Sequence, residues 1–342
     1  MVDELVTQGQ LALDNNEPEL AFKFFQRALA AAPEDTNIMD ALADVQLLLG
    51  RADDARVLLV TSTTLAPTTN PFKWLFLAQL QRGAESVRSY QQAITLFSGL
   101  REPAVSPMQK HVTRAHVAIA ELYLTDLCYD DGAEQLCYDA LTKALEMEAG
   151  SLDALQCLAS LRLSQGNALE ACSIMQTVFE RVLTLRETVS SRSIVDDLNV
   201  KSYSADDPDE MLESEFCVQT AKLLVECAAA SADFADRALV LCSDLLEEDD
   251  DNIEVWYIAG VAALSCSPVD RDGALYHLSH ARDMILAMRE TGASHGTEEQ
   301  YDLLMNHLEI LEQIDKNALS SSGSGGDSTQ LMEEEEWSEH ES

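Results

Sequence analysis

The first 67 residues carry one pattern twice. Ala21, Phe25, Ala28 and Pro33 recur 34 positions later as Ala55, Leu59, Ser62 and Pro67. Upstream of each set, Leu5, Gly9 and Ala12 are answered by Met39, Ala43 and Gln46. A unit of this length cannot bury a core alone, so neighbouring copies must stack, which confines the chain to a solenoid. Within each copy the spacing of four and three marks one face of an α-helix, so the unit is a helical hairpin. Small residues let the two helices approach closely, and the large residue fills the gap between hairpins. Pro33 and Pro67 stop the second helix of each copy, because proline lacks the N–H that the helix ladder needs.

The pattern continues with variations. The first copy covers Val2 to Asp35 with its turn at Asp14–Pro18, and the second covers Thr36 to Thr69 with Gly50 at the turn. The third is irregular: Trp74, Leu77 and Ala78 fit a first helix and Gly83 a turn, but Tyr90, Ala93 and Leu96 fall out of step. Pro103 and Pro107 make Ser98–Met108 a connector. A fourth pair spans Gln109 to Ala149, packed through Ala120, Tyr123, Ala140 and Ala144. A fifth, from Leu152, has Leu155, Leu158, Ala159, Gly166, Ala171, Met175 and Val178 in register and runs on toward Thr188. Residues 190–209 read as an acidic insertion loop. A sixth pair, Glu210 to Glu247, uses Ala221, Leu224, Ala238, Cys242 and Leu245. The seventh aligns Trp256, Ala259, Gly260 and Ala263 with Leu5, Gln8, Gly9 and Ala12. Leu303, Leu304, Leu308, Leu311 and Ile314 then form one stripe on a capping helix, Thr297–Leu319. The expected architecture is all-α, about seven hairpins and a cap over 1–319, followed by a disordered Ser/Gly linker and acidic tail over 320–342.

Charge narrows the partners. Sixty acidic against 22 basic residues leave a net charge of −38, which repels nucleic acid and anionic membrane and speeds encounter with cations. Three acidic clusters contribute, at Asp206–Glu215, Glu247–Asp251 and Glu333–Glu341, the last with Trp337 inside it. The eight cysteines lie in apolar runs without a CxxC pair and read as small buried hydrophobes in a reducing compartment. The start, Met1-Val2-Asp3-Glu4-Leu5, lacks a basic region and apolar core, so no signal peptide is expected, and no run approaches the ~20 apolar residues of a membrane span. A soluble intracellular monomer is the expectation. It has no Lys/Arg cluster of its own for nuclear import.

Catalytic signatures are missing: no GxSxG, no P-loop lysine motif, no HExxH and no dinucleotide fingerprint. His277 and His280 lie three apart without a third ligand nearby, and helix packing accounts for Cys137, His111 and His116 without a thiol site. No enzyme activity, cofactor or metal is expected.

The 34-residue period with small–large–small spacing resembles the tetratricopeptide (TPR) family. That resemblance implies that the first helices of the hairpins line a concave surface whose non-packing positions bind a partner. Here such positions include Asp3, Asp40, Asp44, Glu121, Asp153, Glu215, Glu254 and Tyr257, with Gln10, Asn37, Gln79 and Gln156 among them. Asp40 and Asp44, four apart, repel each other, and a cation between them would relieve that cost. The carboxylate clamp of chaperone-docking TPR domains would need basic or amide groups where Val6, Gln10, Asp40 and Asp44 stand, so it is disfavoured by charge. The number of hairpins, the insertion near residue 200 and the Glu-Glu-Glu-Glu-Trp ending are similar to the fungal TPR chaperones dedicated to large-subunit ribosomal protein four. The resemblance implies an escort of cytoplasm and nucleus that binds a basic, newly made ribosomal protein one-to-one and delivers it to assembling large subunits. Tyr257, Trp74 and Leu47 would add apolar contacts. The alternative is a TPR scaffold or adaptor subunit of a multiprotein complex.

Overall fold

The computed structural model describes residues 2–99, 107–196, 213–290, 302 and 304–309, with side chains from 108 to 188 in the second stretch. It is built of helices, and the described residues contain no strand. They fall into two compact units, Met1–Leu212 and Glu213–Ser342.

The first unit stacks five hairpins. They are α1 (Val2–Asp14) with α2 (Pro18–Ala31), α3 (Thr36–Leu48) with α4 (Ala52–Leu65), α5 (Pro71–Gln79) with α6 (Gly83–Gly99), α7 (Pro107–Leu124) with α8 (Ala133–Met147), and α9 (Leu152–Ser164) with α10 (Ala168–Asp196). Each second helix also packs on the first helix of the next hairpin, and α7 lies against α9. The second unit holds α11 (Ser214–Ala228) with α12 (Asp233–Glu248) and α13 (Ile253–Ser265) with α14 (Arg271–Glu290). A helical stretch at 304–309 follows, and its Leu304 and Leu308 pack with Trp256, Ala263 and Leu278. That is the described part of the expected capping helix; Leu303, Leu311 and Ile314 lie outside the described residues.

The small–large–small code is realised in the core. Ala21, Phe25 and Ala28 are buried, and so are Ala55, Leu59 and Ser62. Gly9 shows why a small residue is required: a Cβ there would lie 2.8 Å from Phe25 Cζ. The same approach recurs in the last hairpin, where a Cβ on Gly260 would lie 2.5 Å from Leu278 Cγ. Four of the first helices, α3, α5, α9 and α13, start on side-chain caps. Asp35 accepts from the Asn37 and Ile38 amides, Asn70 from Phe72, Ser151 from Ala154 and Asn252 from Val255. Several first helices end in a left-handed residue: Asn16 at φ 59°, Gly50 at 71° and Gly166 at 73°. The amides of Glu17, Arg51 and Asn167 then reach back to the carbonyls of Ala12, Gln46 and Arg162, closing the turn that reverses the chain.

Two boundaries differ from the sequence reading. α10 continues to Asp196, so the start of the expected insertion loop is helical. No glycine or proline stands between Gly166 and Pro208 to stop the helix. The rest of that loop, 197–209, lies outside the described residues, as do the linker and tail, 320–342. The expected Ser98–Met108 connector is helical at both ends, since α6 reaches Gly99 and α7 begins at Pro107.

Candidate partner-binding surface

The expected site residues divide into those facing outward and one that turns in. Asp40 is buried on α3. Its Oδ1 accepts from Ser62 Oγ at 2.5 Å and its Oδ2 from Asn70 Nδ2 at 2.7 Å. Beneath them lies Lys73, which is 1% exposed although it is charged. Its Nζ donates to the carbonyls of Ser62 (3.3 Å) and Ala66 (2.6 Å) and to Thr69 Oγ1 (3.0 Å), capping the C-terminal turn of α4. Burial lowers the Lys73 pKa and the Asp40 charge pushes it back up. The cation that the Asp40–Asp44 spacing invites is therefore supplied from within the chain, on Asp40's side only. Asp44 has no hydrogen bond or ion pair among the described residues. Desolvation, then the Asp40 charge, raise its pKa from 3.8 to about 6.

Glu121 on α7 and Asp153 on α9 are both exposed, and the side-by-side packing of these helices makes their charges interact. The surrounding protein, then Asp153, hold the Glu121 carboxyl above the ordinary carboxylate range. Tyr90 of α6 completes the cluster. Burial and then the Glu121 charge push its phenol up to about 12. Asp3 stands apart, exposed in the first turn of α1.

In the second unit, Glu215 is exposed and accepts from Gln219 Nε2 at 2.8 Å. Glu254 pairs with Lys222 at 2.7 Å, tying α13 to α11. Tyr257 is half-buried, and its hydroxyl lies 3.2 Å from His307 Nδ1. Of the apolar contacts expected, Trp74 is half-buried with its indole N–H on the Pro67 carbonyl, and Leu47 packs against the Ala43–Leu59 core. Sequence reasoning missed Lys73, Tyr90 and Lys222. A signal existed for the first: Lys73 is the one charged residue in the α5 segment Pro-Phe-Lys-Trp-Leu-Phe-Leu-Ala-Gln.

The other constellations resolve into packing. His280 and His277 lie tilted against Trp256, their ring centroids 4.1 and 5.4 Å from that of the indole. His116 is kept largely neutral, its pKa lowered to about 4 by burial and then by Lys143. Cys137 and Cys157 are buried free thiols joined by a hydrogen bond, which lowers the pKa of the first and raises that of the second. Among the described residues no cluster of three or more His, Cys, Asp or Glu could hold a metal ion, and no helix is long and apolar enough to cross a membrane.

These stacked helical hairpins form a tetratricopeptide-type solenoid, and the tetratricopeptide repeat family model matches residues 12–71. Within that class the chain resembles one kind of protein in particular. It is 28% identical over 193 residues to a probable assembly chaperone of rpl4 from Schizosaccharomyces pombe, covering 55% of this chain and 50% of that protein. It is 25% identical over 276 residues to a probable assembly chaperone of rpl4 from Emericella nidulans, covering 75% of this chain and 63% of that one. The matches thus span about half to three-fifths of those relatives. Among solved structures, an assembly chaperone of RpL4 (Acl4, residues 1–338) superposes with a TM-score of 0.65 at 21% identity, over 80% of this chain and 99% of that one. At that identity the likeness speaks for the fold.

Proposed function

We propose that this protein is an escort for a basic large-subunit ribosomal protein of the rpl4 type. It holds a Lys/Arg-rich segment against acidic residues on the first helices of its hairpins until ribosome assembly. The relatives' names supply the client class. The observation that carries the binding mode is the placement of Glu121 and Asp153, two exposed carboxylates, on adjacent first helices α7 and α9, where their charges interact and a client cation can meet both. Asp44 offers a second acceptor, with no hydrogen bond or ion pair among the described residues. Asp3 adds to the acidic surface of the first unit, and in the second unit Glu215 and Glu254 offer acidic positions of their own, with Tyr257 as an amphipathic contact. Asp40, buried and hydrogen-bonded to Ser62 and Asn70, does not itself reach the client.

The mechanism follows from charge. A basic ribosomal protein without its RNA binds polyanions indiscriminately, and a chain of net charge −38 stands in for the phosphate backbone. Long-range attraction gives fast capture, and the apolar contacts give specificity. Ribosomal RNA, a denser polyanion, takes the client over at release. The escort works as a monomer in a one-to-one complex without binding nucleic acid itself, and it moves between cytoplasm and nucleus with an import signal borrowed from its cargo.

The test is an affinity capture from cells with mass spectrometry, followed by salt titration of the purified complex. One basic ribosomal protein near one-to-one, free of RNA, is the expected catch. Its affinity should drop steeply between low and high salt. Glu121→Lys with Asp153→Lys should weaken capture at least about tenfold while circular dichroism stays unchanged. A stable complex of non-basic subunits, or an affinity indifferent to salt, would make the protein a scaffold instead.

A further inference from the structure

A groove of about 330 Å³ opens between α8 and the α9–α10 hairpin, on residues the acidic surface does not use. Tyr138, Leu141, Thr142, Leu145 and Glu146 form one stripe of α8 along it, and Leu158, Arg162 and Glu170 face them. Its floor is apolar: Leu141 is fully buried, and Leu145 and Leu158 are half-buried at the edge of the same core. One end is closed by Arg162. Its guanidinium lies 5.0 Å from the Tyr138 ring centroid, its Nε is 2.9 Å from Glu170 Oε1, and its Nη1 donates to Gln165 Oε1 at 2.8 Å. That cation is already matched. At the other end, about two turns along α8, Glu146 is exposed and has no ion pair or hydrogen bond among the described residues. Arg162 follows Asp153 by nine residues, two and a half turns, so the groove lies on the opposite side of α9 from the acidic pair.

These features select an occupant. The volume suits one large side chain, at the lower end of ligand pockets, which run from ~300 Å³. An apolar floor gives a bare cation nothing to bury against, while Glu146 and the net charge of −38 repel an acidic peptide or a second copy of this chain. We propose that this groove is a second docking site, for a peptide segment that inserts one bulky apolar side chain and places a Lys or Arg within a turn of it, against Glu146. Lying across α9 from Asp153, it can be filled while the acidic surface holds its own ligand. The protein can then engage two segments, of one partner or of two, at once.

Methyl-labelled full-length protein, titrated with acetyl-Phe-Ala-Lys-Lys-amide and with acetyl-Ala-Ala-Lys-Lys-amide, tests this by NMR. The two probes carry the same charge. The Phe peptide should move the Leu141, Leu145 and Leu158 methyl signals saturably and bind about tenfold tighter than the Ala peptide. Glu146→Lys should weaken it several-fold. Thr142→Trp, which fills the groove from its half-exposed wall, should abolish the shifts with the thermal midpoint retained. Equal binding of the two peptides, or shifts centred on α3 around Asp44, would reduce the effect to bulk charge and overturn the proposal. Shifts at the groove that follow protein concentration without peptide would assign it to self-association and overturn it equally. None of these outcomes depends on whether a ribosomal protein binds the acidic surface.

Discussion

Replacing Gly9 with alanine should destabilise the first hairpin even though alanine is the better helix former. The new methyl would lie 2.8–2.9 Å from three Phe25 ring atoms, about 0.7 Å inside ordinary carbon contact. Phe25 is 1% exposed and packed with Ala12, Ala21, Leu42 and Val45, so the ring has nowhere to go. Overpacking of this kind costs roughly 1–3 kcal/mol. The helix-propensity gain of alanine over glycine recovers about 1 kcal/mol, leaving a net loss of up to about 2 kcal/mol. The second hairpin shows the remedy, since Ala43 there faces Leu59 in place of a phenylalanine. Gly9→Ala combined with Phe25→Leu copies that pair. Phe25→Leu alone removes packing and costs about 1 kcal/mol, yet the double variant should lose less than the sum by about 1 kcal/mol or more. Urea unfolding followed by circular dichroism measures all four corners of the cycle. A Gly9→Ala midpoint at or above wild type, or additivity within about 0.5 kcal/mol, would refute the close-packing argument.

Two further outcomes follow from the polar network under α3. Lys73→Met should cost about 3 kcal/mol in urea unfolding, because the Ser62 and Ala66 carbonyls and the Thr69 hydroxyl lose their donor and Asp40 loses the nearby positive charge; the Lys73→Met/Asp40→Asn pair should recover a good part, and a loss equal to the sum would contradict the coupling. Asp44 binds its proton more tightly folded (pKa about 6) than unfolded (3.8), so its contribution to stability falls as pH rises from about 4 through 6. Asp44→Asn should therefore lose that part of the pH dependence and gain about 1 kcal/mol at pH 7, after allowance for solvent screening of a partly open carboxylate. Wild-type and variant curves running parallel from pH 4 to 7 would show that Asp44 titrates normally.

Much of the fold was legible in the residues. Ala21, Phe25 and Ala28 announced their burial through spacing alone, because a helix presents every third and fourth residue to the same neighbour. Gly50 and Gly166 announced turns, because a left-handed residue there has no side chain to strain. The length of α10 was not legible, since a serine-rich acidic stretch reads as loop until the lack of any stop signal is weighed. The candidate surface was half legible. Acidic residues on first helices could be named one by one, but pattern rules treat Asp40 and Asp44 alike. The structure turns one inward to Ser62 and Asn70, with Lys73 nearby, and leaves the other without a hydrogen bond or ion pair among the described residues.

What the sequence determined by itself is the period: hairpins, their turns and the small residues at their crossings, all set by contacts between residues close along the chain. What only the tertiary structure decided is which charges share a neighbourhood. Lys73 meets Asp40 across the α4–α5 turn, Glu121 meets Asp153 because α7 lies beside α9, and Arg162 meets Tyr138 because α8 lies against the next hairpin. Coulomb interaction and desolvation depend on distance in space, and 24 to 33 positions of chain separate these groups until the hairpins stack.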